Sequence, residues 1–163
     1  MQEPPDSPRH WCFGCGDRNP EGLHIDFEIE GRRVCGRFRP RETHQGWPGL
    51  AHGGVAAAVL DEAMGWAMYA AGAWAMTARI EVKYRRPLPL GEDLLVSAEV
   101  TRDRGRRLEA EAEVRTPSGE VLAQAYGLFL RVPEQRAREL DASFLGDGQA
   151  SAPEAENIRS RSS

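Results

Sequence analysis

From Gly53 to Ala71 every side chain is apolar or nearly so except Asp61 and Glu62, which sit together at the centre of the run. A helix on a protein surface shows a polar face. This one has none, so it reads as a helix covered on all sides. A buried, ionised carboxylate costs several kcal/mol unless it is paired or used in chemistry, so at least one of these two acids is expected to have a task. His52-Gly53-Gly54 opens the segment and Gly72 is placed to end it.

The flanking sequence reads as strands. Leu23, Ile25, Phe27 and Ile29 alternate with His24, Asp26, Glu28 and Glu30, the period of a strand with one wet face. Glu30-Gly31-Arg32 is a turn, and Val34, Gly36 and Phe38 carry a second strand to Pro40, giving a hairpin. After the helix come four strand-like runs, Ala75 to Arg86, Asp93 to Arg102, Arg106 to Arg115 and Val121 to Val132, separated by turns containing Gly and Pro. The predicted order is β-β-α-β-β-β-β: an α+β chain with a long central helix and a five- to six-stranded antiparallel sheet. One sheet covers one side of a helix, so the rest of an all-apolar helix calls for a partner, and a homodimer is expected, formed by helix contact or by joining sheet edges.

The length of 163 residues fits one domain. A net charge of −4 gives no reason to expect nucleic acid or an acidic membrane surface as a partner. Met1 to Arg9 is Pro-rich and acidic, unlike a secretory signal, and three cysteines suit a reducing compartment. Gly49 to Met76 is long enough to span a bilayer, but its two central carboxylates would each cost about 2.5–3.5 kcal/mol there. A cytoplasmic protein without membrane contact is expected. Beyond Pro133 a short charged helix is predicted up to Leu145, then a disordered tail rich in Ser, Ala, Gly and Glu.

His52-Gly53-Gly54, Asp61 nine residues after that histidine, Thr77, and the run Tyr84-Arg85-Arg86-Pro87-Leu88-Pro89-Leu90-Gly91 together resemble the hotdog-fold acyl-CoA thioesterases of the PaaI-like group. Cys12-Phe13-Gly14-Cys15-Gly16 with Asn19-Pro20 and Gly22-Leu23, and His44-Gln45-Gly46-Trp47-Pro48-Gly49, resemble one subgroup of it. The resemblance implies a long helix wrapped by an antiparallel sheet, and dimers that pair sheets into one layer. It divides the chain into an N-terminal arm over 1–22 with the CFGCG turn, a hotdog domain over 23–132, and a charged helix with a tail over 133–163.

Hydrolysis of a thioester needs a donor for the developing oxyanion and a base or nucleophile for the carbonyl carbon. Backbone N–H groups at the helix start, Gly54 foremost with Gly53 beside it, are the expected polarisers, because glycine lets a carbonyl come close. Asp61 is the expected base or nucleophile, His52 positions the thioester, and Thr77 matches the family position that holds the water or the carboxylate. Gly54 and Asp61 lie about 10 Å apart along one helix, so a site using both takes them from different subunits. The resemblance implies the same cross-subunit site. The family often has Asn or Gln in the loop before the histidine; the equivalent position here is Gly46, and that role passes to Gln45 or His44. Met64, Gly65 and Met68 follow Asp61 at helical spacing and are candidates to line an acyl pocket, with Trp47 and Trp66. Arg79, Lys83, Arg85 and Arg86 are candidates for the phosphates of coenzyme A, the first three on one strand face.

Plainer roles compete with each of these. His52 also reads as a helix-start hydrogen-bonding residue, Asp61 and Glu62 as a structural pair facing arginines across an interface, the Met and Trp residues as core, and the arginines as a solvated strand face. Cys12-x-x-Cys15, with His10 and His24 as further ligands, invites a metal or redox reading. A structural zinc site wants four ligands, usually in two pairs, and no βαβ pattern surrounds these cysteines. No metal and no cofactor beyond the coenzyme A of the substrate are expected; a small turn packing Trp11 and Phe13 on the dimer is, with Cys35 structural. Two other functions fit the same fold: a protein that binds acyl-CoA without hydrolysing it, and a hydratase. The latter wants a histidine a few residues beyond the aspartate, and none follows His52. Acyl-chain length and dimer versus tetramer carry no sequence signal.

Overall fold

The computed structural model describes residues 10–145. The acidic N-terminal stretch and the tail beyond Leu145 lie outside the described residues. Six strands, β1 (Asp26–Glu30), β2 (Arg33–Phe38), β3 (Ala75–Tyr84), β4 (Leu94–Arg104), β5 (Arg107–Arg115) and β6 (Val121–Arg131), form one antiparallel sheet in the order β1-β2-β4-β5-β6-β3. The helix α1 (Gly53–Ala70) lies across one face of it, and α2 (Glu134–Leu145) follows β6. A short 3-10 turn, Glu42–His44, begins the loop into α1. No described helix is long and apolar enough to cross a membrane.

The core is the seam between α1 and the sheet. Ala56, Val59, Leu60, Ala63, Met64, Ala67 and Met68 form the buried stripe of the helix, set against Val34, Phe38, Leu94, Val96, Leu108, Val114 and Phe129. Each large apolar side chain taken fully from water there contributes about 1.5–3 kcal/mol. The strict alternation of β5 shows how the sheet is oriented. Leu108, Ala110, Ala112 and Val114 are buried, so Glu109, Glu111 and Glu113 point outward.

One expectation is corrected. The first strand begins at Asp26, not Leu23: His24 adopts φ +52, which breaks extended geometry, and Leu23 and Ile25 are instead held by N–H bonds to the carbonyls of Phe13 (2.7 Å) and Gly14 (3.0 Å). Both are still buried, so the alternation marked burial and not strand. The helix has one face buried within the chain, the side that a single sheet can cover; Val55, Ala58, Asp61, Glu62, Gly65 and Trp66 are half-buried and make up the remainder expected to meet a partner.

Strand β3 is an edge strand, exposed along most of its length. Its pairing with β6 shifts register between Thr77 and Arg79. One extra residue at that point reverses which face the following side chains take. Thr77 therefore faces α1 while Arg79 faces away, and beyond it Ile80 and Val82 return to the core side.

Candidate active site

Helix α1 starts at a point fixed from three directions. The His52 N–H bonds to the His44 carbonyl (2.8 Å), and a Cβ on Gly46 would lie 2.9 Å from the His52 Cα, so only glycine fits there. The Tyr84 hydroxyl donates to the Gly53 carbonyl (2.8 Å). His52 is the N-cap, and its Nδ1 accepts the N–H of Gly54 at 2.9 Å. The N–H groups of Val55 and Ala56 reach the His52 carbonyl at 2.9 and 3.3 Å. Among the described residues, the N–H of Gly53 alone of the first four in the helix has no protein acceptor. The expected polariser, the Gly54 N–H, is thus already occupied, and the open donor is its neighbour.

Asp61 lies two turns further along, on the face of α1 that the sheet does not cover. The Thr77 hydroxyl donates to its Oδ1 at 2.8 Å. The edge-strand bulge aims that hydroxyl at the helix and leaves the second carboxylate oxygen free of it. One turn on, Gly65 is open, with nothing within 4 Å of where a Cβ would stand. The structure thus joins Asp61, Thr77 and Gly65 in one half-open place and His52, Gly53 and Tyr84 in another.

Several expected pocket residues sit elsewhere. Met64 and Met68 are 0 % and 1 % exposed and fill the core, the Met64 sulfur lying against Gly127 where a Cβ would come within 2.8 Å of it. They turn to the sheet because they belong to the buried stripe of α1. Gln45 uses its side-chain oxygen to accept the Gly49 N–H (3.1 Å), which braces the loop, and the neighbouring His44 is buried with its Nδ1 accepting the Arg41 N–H (3.0 Å). Trp47 is largely exposed, whereas Trp66 packs among Phe27, Tyr69 and Phe144.

Arg79, Lys83 and Arg85 do share the outer face of the sheet, opposite α1. The shallow groove there is lined by Arg33, Lys83 and Arg85 together with Glu81, Glu99, Glu111 and Glu113. Acids outnumber bases in it, which disfavours a phosphate chain lying along the groove. Arg85 donates to the Gln124 side-chain oxygen, and Arg86 pairs with Glu120. Both follow directly on Tyr84 and so begin beside the helix start. Tyr84 itself was not singled out for a role in the sequence; only its place in the Tyr-Arg-Arg-Pro run marked it.

Glu62, one residue after Asp61, faces the N-terminal turn. Its carboxylate lies 3.4 and 3.5 Å from the Cys12 sulfur, and burial raises its pKa to about 7. A Cβ on Gly14 would stand 2.3 Å from the Glu62 side chain, so the glycine between the cysteines is what admits the acid. His24, one of the expected further ligands, is exposed and does not join this cluster; His10 does. Trp11 and Phe13 remain 55 % and 49 % exposed within the chain.

Residues 48–123 match the family model described as Thioesterase superfamily. Acyl-coenzyme A thioesterase THEM4 of Bos taurus is 31% identical over 123 residues, covering 72% of this chain and 50% of its own length. The chain spans about half the length of the curated relatives it matches. Among solved structures, the thioesterase superfamily protein RHA08564 superposes with a TM-score of 0.68 at 33% identity, over 71% of this chain and 60% of that one. The smu.793 protein of Streptococcus mutans UA159, solved bound to acetyl CoA, gives 0.63 at 20% identity over 66% of this chain and 88% of its own, a likeness of fold. By family model, relatives and architecture, this chain resembles the PaaI-like hotdog thioesterases of the thioesterase superfamily.

Proposed function

We propose that the chain is an acyl-CoA thioesterase, converting an acyl-CoA and water to a free carboxylic acid and coenzyme A. The observation that carries this reading is the hydrogen bond from Thr77 to Asp61 on an otherwise apolar, half-open helix face. A lone buried acid wants neutralising. An acid oriented by a hydroxyl through one oxygen, with the other left available, suits attack on a carbonyl carbon or on the proton of a water. The comparison with the THEM4 thioesterase supports the substrate class.

In this mechanism the thioester oxygen sits against the start of α1, where the Gly53 N–H is open and the helix dipole favours negative charge. Gly54 contributes its own N–H only when His52 releases it, so His52 sets how many donors face the oxyanion. Asp61, as general base or nucleophile, approaches from the other subunit of a homodimer, because about 10 Å of helix separates it from its own Gly53 and Gly54. The exposed edge of β3 and the uncovered face of α1 are the surfaces that such a dimer would bury, and pairs of dimers remain compatible with both. The acyl chain would run past Gly65, where a side chain is missing. Arg86, two residues beyond the Tyr84 that meets the helix start, is assigned to the coenzyme A phosphates ahead of Arg79, Lys83 and Arg85, which share the outer face of the sheet.

Asp61→Asn tests the assignment. It should lower release of free thiol from acyl-CoA by at least a hundredfold while leaving the fold unchanged; a variant that keeps its turnover would overturn Asp61 as base or nucleophile, whereas an unaltered chain that binds acyl-CoA and releases no thiol would leave binding without hydrolysis as the better reading.

A further inference from the structure

Away from Asp61 and Thr77, the N-terminal turn carries a group of reactive side chains that the hydrolysis does not use. The Gly16 N–H bonds to the Cys12 carbonyl (2.9 Å), closing the Cys12-to-Cys15 loop on itself. Cys12 and Cys15 are free thiols, both half-buried. Glu62 stands at 3.4–3.5 Å from the Cys12 sulfur, the Trp66 indole N–H points at the Cys15 sulfur (3.4 Å), and the His10 Nε2 lies 4.0 Å from the same sulfur.

Two chemistries use such a cluster, a metal site and a dithiol, and the geometry separates them. The ligand atoms of His10, Cys12 and Cys15 lie within 4.8 Å of one another, and among the described residues no fourth joins them. A closed zinc site has four ligands, with neighbouring ligand atoms about 3.5–3.8 Å apart. The His10 ring decides further. Its Nδ1 accepts the Cys12 N–H at 3.2 Å, so in the neutral ring the proton sits on Nε2, the nitrogen turned towards Cys15. A protonated nitrogen donates a hydrogen bond to sulfur and does not ligate a metal.

We propose that Cys12 and Cys15 form a redox-active dithiol that exchanges with small-molecule disulfides, with Glu62 taking the proton of the second thiol. The Cys12 thiol is lowered to about 5, first by the hydrogen bond from Cys15 and then, against burial, by the N–H groups of Cys15 and Gly14. Cys15 holds the shared proton and is raised accordingly. The Cys12 thiolate attacks one sulfur of a disulfide RSSR; the reagent's S–S bond breaks and one RS⁻ leaves. Cys15 then gives its proton to the Glu62 carboxylate and attacks the Cys12 sulfur, expelling the second RS⁻. The indole and imidazole N–H groups stabilise the charge that Cys15 carries in that step. The two cysteines lose two electrons, RSSR gains them, and its two thiolates collect the Cys15 proton and one from solvent. The inference is independent of the hydrolase reading.

The test uses the full reduced chain, oxidised glutathione at pH 7, an N-ethylmaleimide quench and peptide mass analysis. Cys35 is the internal control, its thiol being raised by burial and Glu30. The peptide carrying Cys12 and Cys15 should lose two hydrogens and escape labelling at least about tenfold faster than Cys35 is modified. Cys15→Ser should stop at a glutathione adduct on Cys12, and Glu62→Gln should slow closure of the disulfide about tenfold, so that the glutathione adduct on Cys12 accumulates. If Cys12 and Cys15 react no faster than Cys35, the proposal fails. It fails equally if the isolated chain holds one zinc per subunit that shields both thiols until a chelator removes it.

Discussion

Proline at Gly53 removes one hydrogen atom that matters to the mechanism and little else. The first position of a helix tolerates proline, since its N–H has no intrahelical acceptor, and the residue before a proline prefers extended geometry. His52 already has φ −62 and ψ 139, and a Cβ at position 53 would meet the Tyr84 ring at 3.5 Å, an ordinary contact. Gly53→Pro therefore should change unfolding free energy by less than about 1 kcal/mol. If the Gly53 N–H is the open oxyanion donor, its loss costs about 2.7–4 kcal/mol in the transition state, or 10²–10³ in kcat. Thiol release from acyl-CoA, followed with a chromogenic thiol reagent beside a urea melt, gives both quantities. A folded Gly53→Pro protein that keeps more than about a tenth of its turnover would refute the assignment and return the role to Gly54.

Thr77→Val removes the hydroxyl at nearly constant shape and should cost about 1.5 kcal/mol in kcat, roughly tenfold, with Thr77→Ser retaining most of the activity; a twofold effect would make the Asp61 contact structural. Leu60→Ala should destabilise the chain by about 2–5 kcal/mol in a urea melt, because Leu60 is wholly buried between α1 and the sheet. Glu62 is an acid whose folded pKa is raised from 4.5 to about 7, first by burial. The folded state then holds a proton that the unfolded state has lost, so stability falls between about pH 4.5 and 7, at up to about 1.4 kcal/mol per pH unit, and levels off above. Glu62→Gln should remove that slope. Gly65→Ala should raise stability by about 0.5–1 kcal/mol, as alanine replaces glycine in a helix interior, and Gly65→Leu should raise KM for acyl-CoA by filling the space beside Asp61.

The helix, the succession of strands along the chain and the Asp61 and Thr77 candidates were legible because each has a local signature: an apolar run of helix length, period-two alternation, and motif residues in order. What the sequence hid has physical causes. The contact between Thr77 and Asp61 depends on one extra residue in β3. Simple alternation puts Thr77 on the face of Arg79, and only the bulge turns it to the helix. Met64 and Met68 share a helical spacing with Asp61, but a helix face is about a third of the circumference wide, so its rim and its buried stripe were not separable by spacing. The occupation of the Gly54 N–H follows from the His52 side chain folding back, a rotamer that no sequence pattern specifies. Glu62 looked like the idle member of a pair. Its partner lies fifty positions away in the chain, admitted by a glycine between two cysteines.

The central claim is that each site takes the helix start of one subunit and Asp61 of the other, and mixed dimers test it directly. Gly53→Pro and Asp61→Asn subunits, each inactive alone, are unfolded together in equal amounts and refolded. Half of the dimers are then mixed, and each mixed dimer has one site with an intact Gly53 from one chain facing an intact Asp61 from the other. Recovery of about a quarter of wild-type turnover is expected for such a shared two-fold arrangement. If both groups served the same chain's site, every site would carry one defect, and the mixture would stay as inactive as its components.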